Sequence, residues 1–185
     1  QHLADPDFIN KAKEGNFNDI RWCVACNQGC IERLSFEMKS ATCSFNPECG
    51  REYKGSAIKA VQPRRVWIVG AGPAGLSAAM AAAERGHKVE VFEKETEPGG
   101  QLLSASRPPH KSGFMDWVKW ATRKLEKASV MIHYCHAVSA DEIKKQKPDA
   151  VILACGAYPV AVPITGLNSR IVADARDVLT GKIAL

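Results

Sequence analysis

Between Arg65 and Glu93 the chain reads as an apolar run, Val66-Trp67-Ile68-Val69, a glycine-rich turn, an alanine-rich stretch to Arg85, and a second apolar alternation, Lys88-Val89-Glu90-Val91-Phe92-Glu93. That order predicts a strand, a turn, a helix and a second strand. Ser112 to Lys127 places Phe114, Trp117, Val118, Ala121 and Leu125 at helical spacing, which predicts an amphipathic helix whose tryptophans, Trp117 and Trp120, pack in the core. Val130 to Tyr134 predicts a strand, Ser139 to Glu142 a capping box opening a short helix to Lys145, and Ala150 to Ala154 a fully buried strand. Arg170 to Val172 suggests one more strand before a last short helix from Asp174 to Leu179, and Asp7 to Lys13 a short helix near the start. Pro98 to Leu102 reads as a turn leading into an irregular Ser104 to Ser112. Strands alternating with helices predict an α/β fold with a doubly wound parallel sheet.

The turn itself is Gly70-Ala71-Gly72-Pro73-Ala74-Gly75, a G-x-G-x-x-G pattern between a strand and a helix. Gly70 allows the tight turn, Gly72 lets a pyrophosphate approach the backbone, and Gly75 lets the helix lie close to the strand. Glu93 closes the second strand 23 residues after Gly70, where a carboxylate accepts hydrogen bonds from both hydroxyls of an adenosine ribose and repels a 2′-phosphate. The expectation is a Rossmann-like domain for FAD, NAD or ADP rather than NADP.

Five of the seven cysteines fall between Cys23 and Cys49, and Cys23, Cys26, Cys30 and Cys43 have the spacing C-x2-C-x3-C-x12-C. Three thiols so close in sequence converge on one centre only if the chain wraps it, a turn that Gly29 would ease, with the fourth arriving from a loop. This spacing favours a [4Fe-4S] cluster over zinc, with unrelated buried or oxidised thiols as the remaining reading. Cys49 reads as a loop cysteine, Cys135 and Cys155 lie alone in apolar strand-like segments, and Cys135, without a cationic neighbour in sequence, reads as structural. His110, His133 and His136 have no ligand-like partners in sequence, and no catalytic triad can be assembled, so no catalytic residue is assigned. The organisation expected is a polar stretch 1–21, a small irregular cysteine-rich segment 22–53, a linker 54–64 and a nucleotide-binding domain 65–185.

The net charge of +5 is scattered among acids without a basic stripe, which argues against nucleic acid as a partner. No run of 18 apolar residues exists, so the expectation is a cytoplasmic protein without a membrane partner. The chain begins at Gln1 and closes on Ala184-Leu185, which suggests an excised piece of a longer protein.

In order, Leu3-Ala-Asp-Pro-Asp7, Asp19-Ile-Arg21, Cys23 to Cys30, Asn46-Pro47, Gly70 to Leu76 and Gly99-Gly-Gln101 resemble the iron-sulfur flavoproteins of the 2,4-dienoyl-CoA reductase and trimethylamine dehydrogenase family, the NADH:flavin oxidoreductases. The resemblance covers nearly the whole chain. It implies a [4Fe-4S] cluster on Cys23, Cys26, Cys30 and Cys43, and FAD contacts at Ala74, Glu93, Gln101, Lys111 and Val138 beside the glycines Gly70, Gly72 and Gly75. It also implies that residues 1–21 are the tail of an absent FMN barrel and that the flavin domain is incomplete. FMN and NAD(P)H would then sit on the barrel and on a nicotinamide-binding domain outside this chain, the partners of the segment in a possible homo-oligomer. The implied function is electron transfer between FAD and FMN through the cluster, for reduction of an activated C=C bond of a small-molecule substrate. Two alternatives stay open: an amine dehydrogenase with ADP in the nucleotide site, and a nucleotide-binding module without catalysis of its own.

Overall fold

Side-chain alternation sorts the central strands into two faces in the computed structural model, which describes residues 1–55, 57–160, 162–167 and 169–183. Ser56 of the expected linker, Ala161 and Asn168, and Ala184 and Leu185 at the end of the expected nucleotide domain lie outside the described residues. Strands β1 (Arg65–Val69), β2 (Lys88–Phe92), β3 (Met131–His133) and β4 (Ala150–Leu153) form one parallel sheet in the order β3-β2-β1-β4. Val66 pairs with Val89 and Ile68 with Val91, so one face presents a block of branched apolar side chains.

Seven α-helices, with short 3₁₀ turns at Phe17–Asp19 and Glu52–Lys54 and a wide turn at Gln28–Glu32, complete the described chain. α1 (Phe8–Lys13) and α2 (Arg33–Ser35) belong to the first third; α3 (Pro73–Glu84), α4 (Gln101–Ala105) and α5 (Gly113–Lys127) follow the glycine turn; α6 (Ala140–Gln146) joins β3 to β4; and α7 (Ala175–Leu179) lies near the end. α3 lays Leu76 and Ala79 on the branched face, and α5 adds Trp117, Val118, Ala121 and Leu125 to the same core. Alanines along α3 keep it close to the sheet, and α5 then packs on α3.

The opposite face of the sheet carries a polar and aromatic layer. Trp67 lies 4.5 Å from Phe92, which stacks on His133 at 4.7 Å. Glu90 accepts hydrogen bonds from Trp67 Nε1 at 2.9 Å and Arg65 Nε at 3.2 Å, and its other oxygen lies 3.3 Å from His133 Nε2. One carboxylate thus ties three adjacent strands.

Several expectations are corrected. Ala150 to Leu153 is not fully buried: it is an edge strand with Ile152 38% and Leu153 73% exposed, because no described segment pairs along its outer side. Its continuous apolar run is the pattern of a strand covered on both faces. Arg170 to Val172 forms no strand; it lies in a turn region where the Val172 N–H bonds back to the Ser169 carbonyl at 3.0 Å, and two apolar residues without a ladder partner among the described residues have nothing to pair with. The start of the supposedly irregular loop after Leu102 is the helix α4. Ser139 caps α6 by accepting the Glu142 N–H at 3.1 Å, but the reciprocal arm is not made, because the Glu142 carboxylate reaches His136 at 3.0 Å. Cys135 and Cys155 are exposed just past strand ends, and Cys49 is buried. Among the described residues no helix is long and apolar enough to cross a membrane.

Two stability experiments follow. Burial pushes the Glu90 carboxyl up, but the hydrogen bonds from Trp67, Arg65 and His133 together with the Arg65 charge outweigh it and hold it below its ordinary value. A folded value below the unfolded one means stability present above about pH 4.3 and lost as pH falls through the folded value. Urea unfolding should show Glu90→Gln less stable than the parent by about 1 kcal/mol at neutral pH, with the gap closing in acid. A Cβ added at Gly75 would stand 1.8 Å from the Gly70 carbonyl oxygen, whereas one at Gly72 meets nothing nearer than Gly100 Cα at 4.0 Å. Thermal unfolding should therefore find Gly75→Ala destabilised by about 1–3 kcal/mol and Gly72→Ala close to the parent.

Candidate functional site

The glycine turn leaves β1 with Gly70 at φ +106°, a conformation L side chains rarely adopt, and a Cβ there would lie 2.4 Å from the Ala154 carbonyl oxygen. The chain then enters α3 through Gly72 as N-cap and Pro73 as first residue, and no side chain caps the helix. The N–H groups of Ala74 and Gly75 have no intrahelical acceptors by position, so the helix presents donors and the positive end of its dipole to the cleft. Ala74 is exposed there.

Glu93 is buried beside this turn: one carboxylate oxygen accepts the Ala71 N–H at 2.7 Å and the other the Glu95 N–H at 3.0 Å. Each oxygen keeps a second lone pair for a ribose hydroxyl. A second glycine pair closes over the first, with the Gly99 N–H donating to the Ala71 carbonyl at 2.9 Å and Gly100 set against Gly72. Gln101 begins α4 and donates from Nε2 to the Ala157 carbonyl at 3.2 Å. The connection after β3 is tied to the same corner by His136 N–H to the Glu93 carbonyl at 2.9 Å, which brings half-buried Val138 near it.

Gly70, Gly72, Ala74, Gly75, Glu93, Gln101 and Val138 therefore gather at the carboxyl ends of β1, β2 and β3. Lys111 stands apart at the head of α5, exposed, with Nζ 6.0 Å from the Phe114 ring centre. The structure also brings Cys155 to this corner. It stands two residues past the end of β4, its Cα would be 3.4 Å from a Cβ at Gly70, and its Sγ lies 3.7 Å from the Val69 carbonyl. Its signal was its position: β1 has β2 on one side and β4 on the other, and ligands of open parallel sheets bind where the strand order reverses.

The second pocket lies in the first third of the chain. Cys23, Cys26, Cys30 and Cys43 all line one cavity of about 80 Å³, whose wall also includes Leu3, Val24 and Phe45. The chain wraps the cavity through left-handed residues at Ala25 and Asn27, followed by a wide turn from Gln28 to Glu32 that runs into α2. Gly29 plays a different part from the one expected. It makes no left-handed turn; instead its missing Cβ admits the backbone of Thr42 and Cys43, and its carbonyl accepts the Thr42 N–H at 2.6 Å. That contact carries Cys43 to the other three. The Ala25 N–H points at Cys23 Sγ at 3.4 Å.

Residues 1–21 form part of this wall. Buried Asp5 accepts the Arg21 N–H and a Lys11 ammonium hydrogen bond, each at 2.8 Å; burial alone would raise its carboxyl, and these partners hold it low instead. Asn46 donates to the Leu3 carbonyl at 2.9 Å, and Gln1 accepts the Cys23 N–H at 2.9 Å. Cys49 is no plain loop cysteine: burial first, then the neighbouring Cys43, Glu52 and Cys30, push its thiol up.

Among the described residues no three His, Cys, Asp or Glu side chains are grouped as ligands of a single metal ion. The cavity wall offers four thiols and no imidazole or carboxylate, a donor set that fits an iron-sulfur cluster and also occurs at structural zinc sites.

Helix α5 stands between the two pockets. Trp120 Nε1 donates to the Asp19 carbonyl at 3.0 Å, Lys127 reaches the Asp19 carboxylate at 2.6 Å, and Phe45 packs edge-on to Trp117 at 5.4 Å. The other side of α5 faces α3 and the glycine pair.

A family profile described as NAD(P)-binding Rossmann-like domain matches residues 68–129. Over 98% of its length the chain is 42% identical to NADH oxidase of Thermoanaerobacter brockii, and over 96% it is 38% identical to cinnamate reductase of Clostridium sporogenes. It spans 28% and 26% of those two proteins. The solved structure of 2-naphthoyl-CoA reductase with 2-naphthoyl-CoA superposes on the whole chain with a TM-score of 0.93 at 32% identity, and the chain spans 28% of it. With the glycine turn, the acid after β2 and the order of strands in agreement, the chain belongs to the NADH:flavin oxidoreductase family that its motifs resemble.

Proposed function

We propose that this chain is the electron-transfer segment of an NAD(P)H-dependent iron-sulfur flavoenzyme, relaying electrons between FAD and FMN, and that its parent enzyme reduces an activated C=C bond. The observation that carries the reading is the convergence of Cys23, Cys26, Cys30 and Cys43 on one cavity, across α5 from a glycine turn built for a pyrophosphate. A [4Fe-4S] cluster held by these four thiolates would supply one-electron steps to and from two-electron carriers.

The chain's own residues do the holding. Gly72, Ala74 and Gly75 offer backbone donors to the pyrophosphate, Gly70, whose N–H is held by the Phe92 carbonyl at 2.7 Å, makes the turn, and Glu93 accepts from the ribose. Gln101 and Val138 border the same cleft, and Lys111 supplies a cation toward a phosphate or flavin edge. The domain division is proposed at 22–53 for the cysteine segment and from 65 onward for the nucleotide domain. FMN, the nicotinamide and the substrate belong to other parts of the parent protein. Free thiols of this kind suit a reducing, cytoplasmic compartment.

Anaerobically purified parent protein should contain about four irons and four sulfides per chain at this site, and Cys43→Ser should lose most of both. One zinc per chain, or no metal at all, contradicts the reading. Nucleotide released by denaturation should be FAD or ADP. Glu93→Gln should weaken its binding about tenfold, measured by titration calorimetry on nucleotide-stripped protein. Unchanged affinity removes Glu93 from the ribose.

A further inference from the structure

The first two turns of α5 touch both pockets. At its start, a Cβ on Gly113 would stand 3.2 Å from Val24 Cα, and Val24 separates Cys23 from Cys26. One turn on, the rings of Phe114 and Trp117 hold Phe45 at 5.7 and 5.4 Å, and Phe45 lines the cysteine cavity. Val118, beside Trp117, faces the other pocket: its Cγ2 lies 3.4 Å from a Cβ built on Gly99, whose N–H is bonded to Ala71 in the glycine turn.

We propose that Gly113 to Val118 couples the two sites, so that a nucleotide in the glycine turn slows loss of iron from the cysteine cavity. The inference rests on the function proposed above. For the cavity to open, the cysteine segment must lift from α5 and expose Val24 and Trp117, which are 9% and 4% exposed when it is seated. What resists that opening is the packing of Val24 and Phe45 on the first turns of the helix, so it depends on how firmly those turns are held.

From the other side the helix is held by Val118, which packs with Leu103 of α4 on Gly99, while the adjacent Gly100 sits against Gly72; the two glycines have φ +123° and +52°. Glycines in such conformations lose much freedom when fixed. A diphosphate bound at Gly72 restrains that loop, the loop restrains α5, and α5 retains the cysteine segment. Thermodynamic linkage applies to the equilibrium part of this coupling: by whatever factor bound nucleotide raises the affinity for the cluster, the seated cluster raises the affinity for nucleotide.

The test uses the anaerobic parent protein, stripped of nucleotide or saturated with ADP, and follows iron transfer to a chelator together with bleaching of the cluster's visible absorbance. ADP should slow release about fivefold or more. Val118→Ala, at the nucleotide side, and Phe45→Leu, at the cysteine side, should each shrink that factor while ADP still binds. Equal release rates with and without bound ADP overturn the coupling and leave the proposed function standing. A full ADP effect in both variants overturns the route through α5. Protein that binds neither iron nor ADP overturns both readings together.

Discussion

The packing of α5 is the contact on which the rest of the structure depends. Its Trp117, Val118, Ala121 and Leu125 close the core against α3 and the sheet, while Phe45, Val24, Asp19 and Arg21 fasten the first third of the chain to its other side. A cysteine-rich segment with only short helical pieces has too little apolar surface to order itself alone. Here it borrows a wall. The aromatic contacts of Phe45 with Phe114 and Trp117, and the seating of Gly113 against Val24, turn a loop with several left-handed residues into one defined cavity.

The nucleotide corner follows a related rule: backbone is brought close to backbone wherever a side chain would intervene. Gly70 and Gly75 let β1, α3 and the residue after β4 meet within van der Waals distance, and Gly99 and Gly100 close from above. Glu93 then joins the turn to the second strand through two backbone N–H groups, so the group proposed to read the ribose is also the one that shapes the turn. Behind the sheet, Glu90 fixes the register of β1, β2 and β3, and the open edge at β4 leaves its apolar residues uncovered.

Much of this was legible in the residues because the signals are local. A continuous apolar run located β1, period-two alternation located β2, helical spacing located α5, and the glycine spacing with an acid at the next strand's end located the turn. The misreadings came where partners decide. Ala150 to Leu153 has the composition of a covered strand but no described neighbour on one side, and Arg170 to Val172 has no ladder partner among the described residues. Gly29 looked like a turn residue because cysteines crowd around it, whereas left-handed Ala25 and Asn27 make the turn and Gly29 makes room for Cys43. The burial of Cys49 and the place of Cys155 beside Gly70 are tertiary facts that no spacing announces. The four cysteines singled out by spacing line one cavity, three of them confined by short intervals and only Cys43 brought from afar.

The central claim is that these four sulfurs enclose one polynuclear centre. Anomalous scattering measured on both sides of the iron absorption edge, from crystals of the parent protein grown without oxygen, tests it most directly. The account predicts one compact iron peak in the cavity, bonded to Cys23, Cys26, Cys30 and Cys43, with Cys49 outside the coordination shell. A lone zinc signal, an empty cavity, or a disulfide among these cysteines would contradict it.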